Sequence, residues 1–236
     1  MAENLIHRGL EVTLLQRPNQ VLPRLDREMA CLVERHLEKK GVRLQLNDGV
    51  SEFKQCADGS LEVLTNKGKT HPADIVILAI GVRPEIALAQ MAAIEIGELG
   101  GIRVDEQMRT SNPDIFAVGD VVEVKDFVTG QWSLVALAGP ANRQGRIAAD
   151  VIAGRNSRFR GTQGTAIVGI FEAAVAWTGA SEKLLSKLGE TDFEKIFLYP
   201  NSHAGYYPKA KMLAMKVLFR KSDGRLLGAQ VVGEDG

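Results

Sequence analysis

Asp120 closes the string Thr110-Ser111-Asn112-Pro113-Asp114-Ile115-Phe116-Ala117-Val118-Gly119-Asp120. Asn112-Pro113-Asp114 is turn chemistry, because proline fixes φ and the flanking side chains bond nearby backbone. Ile115 to Val118 is an uninterrupted apolar run and predicts a short strand buried on both faces. Gly119 leaves room for a ligand to approach the backbone. The Asp120 carboxylate then stands beyond the carboxyl end of a strand, where open α/β sheets bind ligands. A second group with chemistry is Tyr206-Tyr207, inside Asn201-Ser202-His203-Ala204-Gly205-Tyr206-Tyr207-Pro208. A phenol is a proton donor near neutral pH, suited to protonating a leaving group. Taken alone, Tyr-Tyr-Pro also fits an aromatic turn packed on a sheet. A third is the start of a helix at Leu137-Ala138-Gly139-Pro140, whose free N–H groups and positive end can stabilise an anion. Cys31 and Cys56 share no metal or redox spacing, so no metal site is expected.

The elements that must position these groups follow from periodicity and punctuation. Met1 to Arg8 predicts a helix and Leu10 to Leu15 a strand. A second helix is expected from Leu25 to Lys40, with Met29, Leu32, Val33 and Leu37 on one face and Cys31 in its core side. Arg43 to Leu46 is a strand. Val50 to Cys56 and Leu61 to Thr65 alternate and are joined through Asp58-Gly59, a hairpin signal. Ile75 to Ile80 reads as a buried strand ending at Gly81, and Pro84 to Met91 as a short helix. Val121 to Val124 with Thr129-Gly130 reads as a surface excursion. The helix from Leu137 runs to about Ile152, with Pro140 in its first turn. Beyond it come strands at Thr165 to Phe171 and Ala173 to Trp177, then a helix capped by Ser181 and reaching Leu188. Strands at Phe193 to Tyr199, Met212 to Phe219 and Leu226 to Val232 complete an antiparallel sheet.

Thr110–Asp120 resembles the second flavin-contacting motif of the pyridine nucleotide–disulfide oxidoreductases. Ile75-Val76-Ile77-Leu78-Ala79-Ile80-Gly81-Val82-Arg83-Pro84 resembles their strand returning from the nucleotide domain to the FAD domain. The resemblance implies an α/β fold, an incomplete two-dinucleotide-binding-domain flavoprotein, followed by an α+β interface domain. The expected divisions are 1–82 for NAD(P) binding without its first strand and Gly-rich loop, 83–160 for the carboxyl-terminal part of the FAD domain, and 161–236 for dimerisation. It also implies roles: Asp120 on the ribityl chain of FAD, with Gly119, Ile115, Leu137 and Ala138 beside the cofactor. Ile80 and Gly81 are cofactor-binding candidates on the same ground. NAD binders often place an acid at the end of the second strand; Gln16-Arg17 stands there instead. Arg17 would neutralise a 2′-phosphate and Gln16 would hydrogen-bond a ribose, so NADH and NADPH both stay open.

Two segments narrow the group. Asn201 to Pro208 and Leu137-Ala138-Gly139-Pro140-Ala141-Asn142-Arg143-Gln144-Gly145-Arg146 resemble coenzyme A-disulfide reductases and their persulfide- and polysulfide-reducing relatives. This implies Tyr206, with Tyr207 second, as active-site tyrosine, and Asn142 and Arg143 as coenzyme A contacts. The implied reaction passes electrons from NAD(P)H through FAD to a cysteine that turns over coenzyme A disulfide or a per/polysulfide. That cysteine lies outside this sequence, which reads as an internal part of a larger enzyme and by itself inactive. NADH oxidase or peroxidase is the alternative enzyme. For the chain alone, a non-catalytic nucleotide-binding and dimerisation module is the other reading. Twenty-nine basic residues balance twenty-nine acidic ones across 236 residues. That balance gives no reason to expect nucleic acid or a membrane as partner. A cytoplasmic homodimer is expected.

Overall fold

A computed structural model describes residues 1–234. In chain order the elements are α1 (Ala2–His7), β1 (Val12–Gln16), α2 (Arg27–Lys39), β2 (Val42–Leu46), β3 (Val50–Gln55), β4 (Leu61–Thr65) and β5 (Thr70–Ala73). Then follow α3 (Ala87–Met91), β6 (Ile102–Arg103), β7 (Val122–Lys125), β8 (Trp132–Leu134) and α4 (Ala138–Ile152). The chain continues through β9 (Ala166–Ile170), β10 (Ala173–Gly179), α5 (Glu182–Lys187), β11 (Phe193–Leu198), β12 (Leu213–Arg220) and β13 (Leu226–Glu234). The α/β class followed by an α+β region is as the sequence predicts.

The chain divides into two compact units. The first takes Met1–Ala79 together with Ala166–Trp177 and the chain from Ser181 on. Its core is organised by α2, where Met29, Ala30, Val33 and Leu37 fall on one stripe at helical spacing and are all buried. They pack with Val42 of β2 and with Val175 and Val232 of the later strands. Parallel β1–β2, the meander β3-β4-β5 and the antiparallel sheet β11-β12-β13-β10-β9 complete this unit. The second unit is Ile80–Thr165 with Thr178–Ala180. Its core joins Ile102, Val104, Met108, Val122 and Val124 to Ile147, Ala148 and Val151 on the buried face of α4.

Several expectations are corrected. Ile75 to Ile80 forms no strand, and Ile75, Ile77, Leu78 and Ile80 are exposed. An apolar run becomes a strand only where a ladder partner stands beside it, and no strand pairs with it among the described residues. Ile115 to Val118 is also not a strand: a single bridge joins Arg109 to Phe116, and Ile115 and Val118 face outward. Leu32 lies off the buried stripe of α2, and Cys31 is only half-buried. β3 pairs with β4 as expected but is exposed along its whole length. Conversely, Val122, Glu123 and Val124 are buried in β7 rather than lying in a surface excursion.

Candidate functional site

The turn that presents Asp120 is built by its own polar residues. The Asn112 carboxamide oxygen accepts the Asp114 N–H at 3.0 Å, and the Ile115 and Thr110 amides close the loop at 3.0 and 2.9 Å. Gly119 takes φ +87°. A Cβ there would meet nothing within 4 Å, so glycine answers the backbone angle and leaves that side open. Its N–H donates to Gln144 Oε1 on α4 at 2.7 Å. Asp120 follows in a short 3-10 turn, Gly119–Val121, with its side chain exposed.

The amino end of α4 has no side-chain cap. Leu137 is the extended residue before it, half-buried, and Ala138 is exposed. Pro140 removes one N–H from the first turn at no cost, and the remaining amides give that end its positive partial charge. An exposed carboxylate, an open glycine and an uncapped helix end suit a ligand with hydroxyls at one part and negative charge at another. That donor and acceptor set fits FAD. Asn142 donates to Ala138 O at 2.9 Å, so its NH₂ is turned onto its own helix, and Arg143 is exposed. The second unit carries Ile115, Gly119 and Asp120 on one turn that Gln144 ties to α4, and Leu137, Ala138, Asn142 and Arg143 at the start of that helix. Ile80 and Gly81, also in this unit, lie in an exposed irregular segment.

In the first unit, Gln16 ends β1 and Arg17 follows, exposed. Gln16 O accepts the Asp48 N–H and Pro18 O the Asn47 N–H, which holds the β2–β3 turn against the strand end. A Cβ on Gly49 would lie 2.9 Å from Asn66 Nδ2 and 3.5 Å from Arg17 Cγ. The missing side chain thus admits the Arg17 stem and the β4–β5 turn together. Buried Asp48 accepts the Lys67 N–H at 3.2 Å, while its Oδ2 has no partner. Arg17 is thus the charged side chain at this strand end that faces solvent.

Tyr206 and Tyr207 belong to the first unit, on the loop between β11 and β12. Their ring centroids are 4.8 Å apart, and His203 stands edge-on to Tyr207 at 6.4 Å. The loop is tied at its base by Ser202 N–H to Lys211 O at 2.7 Å and Leu213 N–H to Pro200 O at 2.8 Å. Both phenols are exposed, Tyr206 at 84%. With both rings mostly exposed, Tyr-Tyr-Pro is not an aromatic turn packed on the sheet.

Sequence reasoning missed one cluster. Lys216 on β12 is 0% exposed, with Nζ 2.9 Å from Asp26 Oδ2 and 2.5 Å from both Glu28 Oε1 and Glu182 Oε2. Three carboxylates converge within the reach of one metal ion, but the Lys216 ammonium is the cation that stands among them. Burial opposes the charge on Lys216, yet the three carboxylates outweigh it and hold its pKa above the ordinary lysine value. Burial likewise opposes ionisation of Asp26, and Lys216 with the Glu182 and Lys183 amides overcomes it, so the pKa is lowered. Glu182 is lowered by Lys195 first and Lys216 second. The one signal was a lone lysine inside the apolar strand Leu213–Arg220. In the second unit, Arg103 Cζ and Lys125 Nζ stand over the Trp132 ring at 4.1 and 4.2 Å from its centroid.

Residues 1–145 match the family model described as pyridine nucleotide-disulphide oxidoreductase, and residues 165–236 match that family's dimerisation domain. The chain is 37% identical to an NADH oxidase of Methanocaldococcus jannaschii, over 99% of this chain and 51% of that protein. It is 35% identical to an NAD(P)H sulfur oxidoreductase (CoA-dependent) of Pyrococcus abyssi, over 100% of this chain and 52% of that protein. Among solved structures, reduced Bacillus anthracis CoADR-RHD superposes with a TM-score of 0.95 at 45% identity, covering 100% of this chain and 42% of the other. The chain thus spans about half the length of the curated relatives it matches.

Proposed function

Because the chain belongs to the pyridine nucleotide-disulphide oxidoreductase family, we propose that it forms part of a flavoprotein reductase. The whole protein would carry electrons from NADH or NADPH through FAD to a cysteine outside this sequence, and from there to coenzyme A disulfide or a per/polysulfide. The observation that carries this reading is the Gly119–Asp120 turn bonded to α4, whose first turn is uncapped. FAD, when bound, supplies the two-electron exchange between nicotinamide and thiol.

The residues of this chain then have the following work. Asp120 accepts hydrogen bonds from ribityl hydroxyls, with Gly119, Ile115, Leu137 and Ala138 forming the adjoining wall. The amides at the start of α4 favour negative charge near them. Gln16 holds a ribose of the nicotinamide cofactor, and Arg17 meets a 2′-phosphate where one is present; Ile80 and Gly81 border the cofactor on the segment leaving the nucleotide domain. Tyr206, with Tyr207 as the second candidate, gives a proton to the departing thiolate, which lowers the barrier to thiol–disulfide exchange. Asn142 and Arg143 contact coenzyme A. Residues 1–82 act as the NAD(P) domain, 83–160 as the end of the FAD domain, and 161–236 in a homodimer interface. Free Cys31 and Cys56 suit a cytoplasmic setting, and among the described residues no helix is long and apolar enough to cross a membrane.

A second reading, reduction of oxygen or peroxide, is favoured by the identity to the protein named NADH oxidase. The exposed tyrosine pair supports the disulfide reading over it. The full-length protein should be assayed with NADH and NADPH against coenzyme A disulfide, polysulfide and oxygen. Turnover of either sulfur substrate well above oxygen is the expected result. Fast peroxide or water formation with no disulfide turnover would replace the proposal with the second reading.

A further inference from the structure

Gln144 lies on the inward face of α4, 2% exposed, among Ile147, Ala148 and Val151. Packing alone would choose an apolar side chain at that position. The polar choice has a specific partner: Gln144 Oε1 accepts the N–H of Gly119 at 2.7 Å, across 25 residues of sequence. Gly119 precedes Asp120 and holds φ +87°, a conformation that glycine reaches but does not keep without help. Left unpaired against the flank of a helix, its N–H would carry the full cost of lost hydration. Because the group on the turn is a donor, the carboxamide must present oxygen to it, which turns the NH₂ the other way.

We propose that Gln144 is a positioning residue for the Asp120 site. It ties the Gly119–Asp120 turn to α4, so the Asp120 carboxylate is presented in one orientation before any ligand arrives. A ligand bound to a fixed carboxylate loses less conformational entropy than one that must order the turn. The identity of the ligand as a hydroxyl-rich flavin cofactor rests on the function proposed above; the tie between turn and helix does not.

The test uses the full-length protein, with FAD as the probe and the variants Gln144→Met and Gln144→Glu. Methionine keeps the length and apolar packing but offers Gly119 no good acceptor. Glutamate keeps an acceptor oxygen in either protonation state. Gln144→Met is expected to raise the FAD dissociation constant roughly tenfold and to speed amide exchange across residues 115–121 in FAD-free protein. Gln144→Glu is expected to stay close to wild type in both readouts. The opposite order, with methionine tolerated and glutamate disruptive, would mean that Gln144 merely packs the helix, and would overturn the proposal. If wild-type protein binds no FAD, the flavin reading fails by itself, and the exchange contrast still decides whether Gln144 ties the turn.

Discussion

At the scale of single residues, the proposed site is tested by replacing groups whose loss changes charge or proton supply more than packing. Asp120 is exposed, so Asp120→Ala should leave the fold intact. In the full-length protein it should raise the FAD dissociation constant by about tenfold to a hundredfold, the worth of a hydrogen bond to an ionised group; titration with FAD reads this directly. Tyr206→Phe removes one hydroxyl from an exposed ring. It is expected to lower kcat for disulfide substrate by about a hundredfold, the lower range of general acid catalysis, with KM for NAD(P)H unchanged. Arg17→Ala should raise KM for NADPH by about tenfold or more while sparing NADH, because only the phosphate needs a charge-assisted partner. An unchanged NADPH KM would show that Arg17 lies outside the cofactor's reach. Asp120, Tyr206 and Arg17 could be proposed from the sequence because each sits in a recognisable local string. Gln144 was not, since its partner Gly119 is defined only once α4 lies against the turn.

At the scale of elements, Lys216 is the bolt between α2, α5 and β12. Asp26 precedes α2 but spends its carboxylate on the Glu182 and Lys183 amides at the start of α5, at 3.1 and 3.2 Å, and on Gln230 of β13 at 2.7 Å. A carboxylate at a helix amino end is favourable, and here it belongs to a neighbour rather than to its own helix. Lys216→Met should destabilise the protein by about 3 kcal/mol, the lower end for removing one member of a buried ionic group, because Glu28 and Glu182 keep some solvent contact. Denaturant midpoints would measure it. The pH dependence has a definite sign. Asp26 and Glu182 are lowered from ordinary values of 3.8 and 4.5, so their stabilisation is complete above that range and fades as pH falls below it. Lys216 is raised from 10.5, so its share is complete below that pH and fades only as pH climbs past it. Stability from this cluster should therefore be flat between about pH 5 and 10. Most elements were legible from periodicity and turn residues, and β4 agrees to the residue. Ile75 to Ile80 and Ile115 to Val118 were misread for one reason: an apolar run records a preference for burial, while a strand requires a particular neighbour.

At the scale of the molecule, the matched family segments do not coincide with independent cores. The dimerisation model begins at residue 165, yet Val175 and Val232 beyond that point share one core with Met29, Val33 and Leu37 of α2. A chain ending at Gly164 should thus lose more than an interface. With about 1.5–3 kcal/mol for each large side chain uncovered, α2 is expected to lose its amide protection, as hydrogen exchange across Arg27–Lys39 would report. Retained protection there would show that the first 79 residues stand alone. This sharing was invisible in the sequence, because amphipathic spacing shows that α2 buries a stripe without saying which strands cover it. The two tryptophans of the chain fall one to each unit: Trp177 beside the α2 core, and Trp132 with the Arg103 and Lys125 cations over its ring. The protein therefore carries its own pair of optical probes. Replacing either indole by phenylalanine leaves the emission of the other to follow its own unit, so the order in which the two halves loosen can be read as light, without a label.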